Sequence, residues 1–128
     1  TADLVTPLAI SEICGSSFIQ LSGEDATFLA FLVSGGQGCI SVTANVAPKL
    51  CSELYENWVS GNIKKCMEIN KLLYPLSRTL FLETSPSPVK YALSKMNLCK
   101  NILRLPLVSI NNDTELQIDK ILKEMKLI

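Results

Sequence analysis

Histidine is absent from this 128-residue sequence. A Cys–His or Ser–His catalytic pair within the chain is therefore excluded, and a zinc site is strongly disfavoured. Net charge is absent too, with twelve Lys plus Arg against twelve Asp plus Glu. No overall field draws the chain to nucleic acid or to an anionic membrane, and no basic cluster supplies a local one. Long apolar runs are missing. The longest, Phe28 to Val33, is far too short to span a bilayer, and the first residues carry no signal-peptide pattern. The five cysteines are odd in number, scattered, and include no Cys-x-x-Cys pair. They do not read as a disulfide framework or a redox motif. Buried free thiols in a reducing cytosol are the expectation.

What the chain does have is apolar content without a membrane segment: 48% hydrophobic residues and a mean hydropathy of +0.28. That balance implies surface which another part of the protein, or a partner, covers. Thr6-Pro7 reads as a cap and first helical turn, with the helix stopped by Gly15. Phe18 to Leu21 is strand-like and ends at Ser22-Gly23. Glu24 and Asp25 then suit the positive end of a helix running to Val33, before the Gly35-Gly36 break. Gly38 to Val42 is β-branched without clean alternation, as in parallel strands covered on both faces. Leu50, Leu54 and Trp58, four apart, mark an amphipathic helix ended by Gly61.

Beyond Gly61 only helices are expected. Asn62 caps a long one with a kink or break near Pro75. Pro88 opens a short helix. Asn112, with Glu115 three residues on, forms a capping box for the last, and Lys120, Lys123 and Lys126 form its wet face. The division is thus 1–61, helices alternating with two strands, and 62–128, all helical. Alternation with short connections implies parallel strands with crossover helices. Two strands do not make a stable doubly covered sheet, and a (β/α)8 barrel needs about 250 residues. The fold class expected is α/β: the last two strands of a TIM barrel and their helices, followed by an all-helical C-terminal appendage.

Local chemistry offers no convincing catalytic set. Gly35-Gly36-Gln37-Gly38 precedes a strand, whereas phosphate loops follow one, so it reads as a helix-to-strand turn. Adjacent Glu24 and Asp25 read as caps rather than an acid/base pair. Glu83 shows no partner and reads as a solvated or turn-stabilising carboxylate. Lys90 reads as a surface or interface charge rather than an amine nucleophile. Gly23 is open between a turn requirement and close approach of a substrate to the backbone.

Four stretches together resemble the dihydrodipicolinate synthase (4-hydroxy-tetrahydrodipicolinate synthase) family of the pyruvate-dependent class I aldolase superfamily. They are Leu-Ser-Gly-Glu-Asp-Ala at 21–26, Gly-Gly-Gln-Gly-Cys-Ile-Ser-Val-Thr-Ala-Asn-Val-Ala-Pro at 35–48, Pro-Ser-Pro-Val-Lys-Tyr-Ala-Leu at 86–93 and Leu-Arg-Leu-Pro-Leu at 103–107. The resemblance implies a cytoplasmic, tetrameric barrel enzyme condensing pyruvate with L-aspartate 4-semialdehyde in lysine and diaminopimelate biosynthesis, without metal or organic cofactor. It places the Schiff-base lysine three residues before Thr1, and the relay tyrosine further upstream. No catalytic side chain is then expected here, and an N-terminal half is the expected partner. Two backbone contacts to pyruvate carry over: the Ile40 carbonyl and Gly23. Ala2 stands where the family commonly has glycine, and Ser85 where it often has asparagine. The competing expectation is a truncated, non-catalytic paralogue that binds full-length subunits.

Overall fold

A computed structural model describes residues 3–128, so the Ala2 departure lies outside the described residues. In chain order the elements are α1 (Thr6–Cys14), β1 (Leu21–Ser22), α2 (Phe28–Val33), β2 (Gly38–Cys39), α3 (Pro48–Val59), α4 (Ile63–Leu80), α5 (Ser87–Lys95) and α6 (Asn112–Glu124). A 3-10 turn, Thr43–Asn45, lies between β2 and α3. The two strands pair in parallel, Leu21 opposite Gly38 and Ser22 opposite Cys39, with α2 as the crossover. Both are shorter than the strand-like sequence around them. Phe18 and Ile19 are 50% and 70% exposed, and Ser41 and Val42 turn away into the 3-10 turn.

The core is helical. Leu54 of α3, Ile69 and Leu76 of α4, and Ile118 and Leu122 of α6 are at most 2% exposed and form one cluster with Val46 and Ala92. The central member is α4, which packs against α2, α3, α5 and α6. Its apolar residues recur at helical spacing, so one stripe faces inward while Lys64, Lys65 and Glu68 stay in water. No break occurs at Pro75. The helix runs through it, and the amide that proline lacks would have met Lys71 on the solvent side.

Caps deviate from the sequence reading in instructive ways. Thr6 is the first residue of α1, not its cap. The cap position is Val5, which makes no side-chain cap bond, and Asp3 braces the turn before it, accepting from Val5 N at 2.9 Å and Thr6 Oγ1 at 2.8 Å. These bonds hold its carboxyl below the usual range. The cap of α6 is Asn111, one residue before Asn112. Its extended backbone (φ −76°, ψ 163°) aims its side chain at Thr114 N, 2.8 Å away. The expected capping-box partner Glu115 is replaced by Glu83, which accepts from Asn111 N at 3.0 Å across 28 residues. Glu83 therefore has a partner, and the link pins the α4–α5 turn to the start of α6. Helix α5 begins at Ser87 rather than Pro88. Lys120 and Lys123 are exposed on α6, as its amphipathic pattern requires, while Lys126, also exposed, lies past the helix end at φ 56°.

Gly36 turns the chain from α2 into β2, as expected of a helix-to-strand turn. A Cβ there would lie 2.0 Å from the Phe31 ring, so this close approach requires glycine. The cysteines are all free, but only Cys66 is buried. Cys39 and Cys51 are half-buried, and Cys14 and Cys99 are exposed, contrary to a uniformly buried set. Among the described residues no helix is long and apolar enough to cross a membrane.

Candidate functional site

Gly23 and Ile40 immediately follow β1 and β2, so both sit at the C-terminal edge of the parallel pair. They are joined through the strand: Ile40 N donates to Ser22 O at 2.8 Å. Ile40 is 73% exposed, and its carbonyl accepts no hydrogen bond among the described residues. Gly23 is exposed, with nothing within 4 Å of where a Cβ would be. It lines a groove of about 390 Å³ together with Asp3, Thr6, Pro7, Phe18 and Leu21. The start of the described chain and the end of β1 therefore face one another across this groove.

Behind the strand ends the polar groups converge on Asp25. Its Oδ1 accepts from Ser41 Oγ, with Cys39 Sγ at 4.0 Å, and its Oδ2 accepts from Val42 N at 3.0 Å and Thr43 N at 3.1 Å. Ser41 Oγ in turn accepts from Ala44 N at 2.8 Å. Asp25 was read from sequence as a cap of its own helix. It caps the 3-10 turn after β2 instead, because the parallel register brings that turn beside it. Glu24 behaves as a local cap, accepting from Ala26 N at 3.1 Å, so the two adjacent carboxylates have separate structural duties and form no acid/base pair. Lys90 donates to the Ile102 carbonyl and ties α5 to the following loop.

A second cavity, of about 320 Å³, lies behind Asp25 and is lined by Cys39, Thr43, Cys51, Asn70 and Tyr74 among others. Burial first, and the Asp25 carboxylate next, push the Cys39 thiol up to about 12. The same two causes, in the same order, push Cys51 up to about 11. Both stay protonated at neutral pH and are poor nucleophiles. Thr43 Oγ1 is buried without a hydrogen-bond partner among the described residues. Those residues also contain no group of three or more Cys, Asp or Glu able to hold a metal ion.

A pair of main-chain groups at a strand edge, buttressed by a carboxylate but without a reactive side chain, is the geometry to compare with known proteins. Residues 1–125 match the model of the dihydrodipicolinate synthetase family. This chain belongs to that family. It is 50% identical over 117 residues to the 4-hydroxy-tetrahydrodipicolinate synthase of Bartonella bacilliformis, covering 91% of this chain and 40% of that protein. It is 43% identical over 128 residues to the synthase of Gluconobacter oxydans, covering 100% of this chain and 43% of that one. The crystal structure of dihydrodipicolinate synthase from Thermotoga maritima superposes with a TM-score of 0.95 at 39% identity, over 100% of this chain and 44% of that one. The chloride-inhibited dihydrodipicolinate synthase from Acinetobacter baumannii, complexed with pyruvate, superposes with a TM-score of 0.92 at 31% identity, again over 100% and 44%. The dihydrodipicolinate synthetase segment seen here thus spans 40–43% of these curated relatives.

Sequence reasoning from local chemistry missed Asp25 because all its partners lie at least 14 residues downstream. A carboxylate just after one strand and a Ser-Val-Thr just after the next was the available signal. Gly23 and Ile40 present main chain at the strand ends, which no side-chain pattern announces.

Proposed function

We propose that this chain is the C-terminal portion of a 4-hydroxy-tetrahydrodipicolinate synthase, which condenses pyruvate with L-aspartate 4-semialdehyde in lysine and diaminopimelate biosynthesis. The observation that carries the reading is the match of residues 1–125 to the family, together with full-length superposition on its solved structures. In this reading β1 and β2 are the last two strands of a TIM barrel, 1–61 closes that barrel, and 62–128 is its helical appendage. The exposed strand-side residues Phe18, Ile19 and Ile40 are covered by an N-terminal half. The assembly is a cytoplasmic homotetramer.

Chemically, a lysine amine three residues before Thr1 attacks the ketone carbon of pyruvate, and loss of water leaves a Schiff base. Removal of a methyl proton gives the enamine, whose carbon attacks the aldehyde, with an upstream tyrosine relay moving protons. This segment contributes main chain. The Ile40 carbonyl, a strong acceptor, faces the bound pyruvate and can accept from the N–H of the protonated Schiff base. Gly23, lacking a side chain, lets the substrate approach the β1 end. The open groove beside Gly23 and the exposed Ile40 support this assignment.

The test is the intact mass of the natural polypeptide before and after borohydride treatment with pyruvate. A mass well above 14.0 kDa that gains a reduced pyruvate adduct supports the proposal. A polypeptide of this mass alone that gains none identifies a non-catalytic interaction module instead.

A further inference from the structure

We infer that Asp25 is a positioning residue for pyruvate, acting as the strut that fixes the Ile40 carbonyl opposite the Gly23 turn. The inference rests on the proposed synthase activity and names a residue of that same site.

The Ile40–Ser41 peptide carries the carbonyl in question and is anchored on both sides. Before it, Ile40 N is bonded to Ser22 O at 2.8 Å. After it, Ser41 Oγ, Val42 N and Thr43 N all donate to one carboxylate, that of Asp25. Displacing this peptide from its place opposite the Gly23 turn requires breaking one anchor or the other. The second anchor is the only one supplied by a side chain, and it is charged, which makes its hydrogen bonds the stronger kind. Asp25 also lies two residues beyond Gly23, so the same group sets the spacing between the two strand-end turns. Ser41 carries the tie forward, accepting from Ala44 N at 2.8 Å. Asp25 is half-buried and lines the cavity behind the strand ends rather than the groove beside Gly23. It therefore acts through Ile40 and takes no proton from substrate.

An amide is the informative replacement. Asparagine loses the charge and one acceptor oxygen: either its NH2 faces the Val42 and Thr43 amides, or the Ser41 hydroxyl must reverse to accept from it. The experiment is steady-state kinetics and borohydride trapping on the full-length enzyme, comparing wild type with Asp25→Asn, Asp25→Glu and Ser41→Ala. In Asp25→Asn, kcat/KM for pyruvate is expected to fall roughly 10- to 100-fold, the scale of a displaced positioning group. The pyruvate adduct should form correspondingly more slowly, while kcat/KM for the aldehyde substrate changes far less. Asp25→Glu, which keeps both acceptor oxygens, should recover part of the loss. Ser41→Ala removes one donor and leaves the Val42 and Thr43 amides and the Cys39 thiol, and should shift the same parameter in the same direction by a smaller factor.

A merely structural role would lower the active fraction and depress both half-reactions alike. That result in Asp25→Asn, or a pyruvate kcat/KM within about twofold of wild type, overturns the inference. If Asp25→Asn does not fold, Ser41→Ala decides by the same criterion. A wild-type enzyme that traps no pyruvate overturns the proposed function itself, and so is distinguishable from either outcome.

Discussion

The strand edge and helix α4 treat apolar residues in opposite ways. In α4 the inward stripe is closed over, with Ile69, Leu76 and Leu80 at most 1% exposed. Along β1 the polarity is inverted. Ser22 is buried at 6% while its neighbour Leu21 is 54% exposed, and α1 buries only Pro7. Polar groups do much of the holding on the strand side. Gln20 Nε2 donates to Pro7 O at 3.0 Å and to Ser11 Oγ at 2.8 Å, and Gln20 N donates to Gln37 Oε1 at 2.7 Å. The helices carry their own stability through burial, whereas the strand side is held in register by directional bonds. Such bonds contribute modestly each, about 1 kcal/mol, but specify geometry well. A segment that supplies main-chain contacts benefits from geometry more than from bulk.

The largest expected effect tests the helical side. Leu76→Ala should cost about 2–5 kcal/mol, read by urea denaturation, because a fully buried leucine leaves a cavity. Ile19→Ser, at a residue 70% exposed, should change the stability of the 128-residue chain by no more than about 0.5 kcal/mol. The same substitution in the longer polypeptide should cost distinctly more if an N-terminal half covers that face. Equal effects in the two contexts would break the comparison.

Gly36→Ala comes next. Its Cβ would meet the Phe31 ring at 2.0 Å, and Phe31 is itself 9% exposed and confined. An overpacking cost of about 1–3 kcal/mol is expected in the same denaturation assay. Glu83→Ala should cost about 1 kcal/mol by freeing the Asn111 amide, close to the loss expected for Asn111→Ala. The double variant should fall short of the sum, because the two side chains serve one helix end.

These sites also show what was legible in the sequence. Helices α3, α4 and α6 were, because apolar spacing of three and four depends on nothing beyond the helix itself. The parallel pairing and its crossover followed from order and connection length. Single-residue errors at helix starts, Asn112 for Asn111 and Pro88 for Ser87, arose because two adjacent asparagines cap equally well and because proline suits either of the first two helical positions, so only backbone angles choose. The ties made by Glu83 and Asp25 were illegible, since each joins residues remote in sequence that meet only after packing. Pro75 misled because its cost depends on which side of the helix the missing amide faces. Gly23 was open between two readings from the residue alone, and Ile40 was reached only through family resemblance.

The smallest expected effect separates the two regions by pH. Around Asp25, Cys39 of β2 and Cys51 of α3 are held up to about 12 and about 11 by burial and that carboxylate. On the helical side, burial and then Asp119, 3.2 Å from the hydroxyl, hold Tyr91 above its ordinary value near 10. All three are neutral acids whose folded pKa is raised, so the folded state keeps a proton that the unfolded state has lost. Their contribution is complete below the unfolded pKa and declines as pH rises towards the folded one. Lys95, 2.9 Å from Asp119 and also raised, loses stabilisation in the same alkaline direction. Stability should therefore begin to fall near pH 9 through the thiols and steepen near pH 10 through Tyr91. Replacing Cys39 and Cys51 by serine should shrink the first phase to the part carried by Cys66 of α4, whose thiol burial also pushes up, and leave the second. Tyr91→Phe should spare the first and reduce the second to the part carried by the Lys95–Asp119 pair, and thermal melts between pH 8 and pH 11 would separate them. A single alkaline phase untouched by the cysteine replacements would mean that the strand side does not bury its thiols as the structure has them.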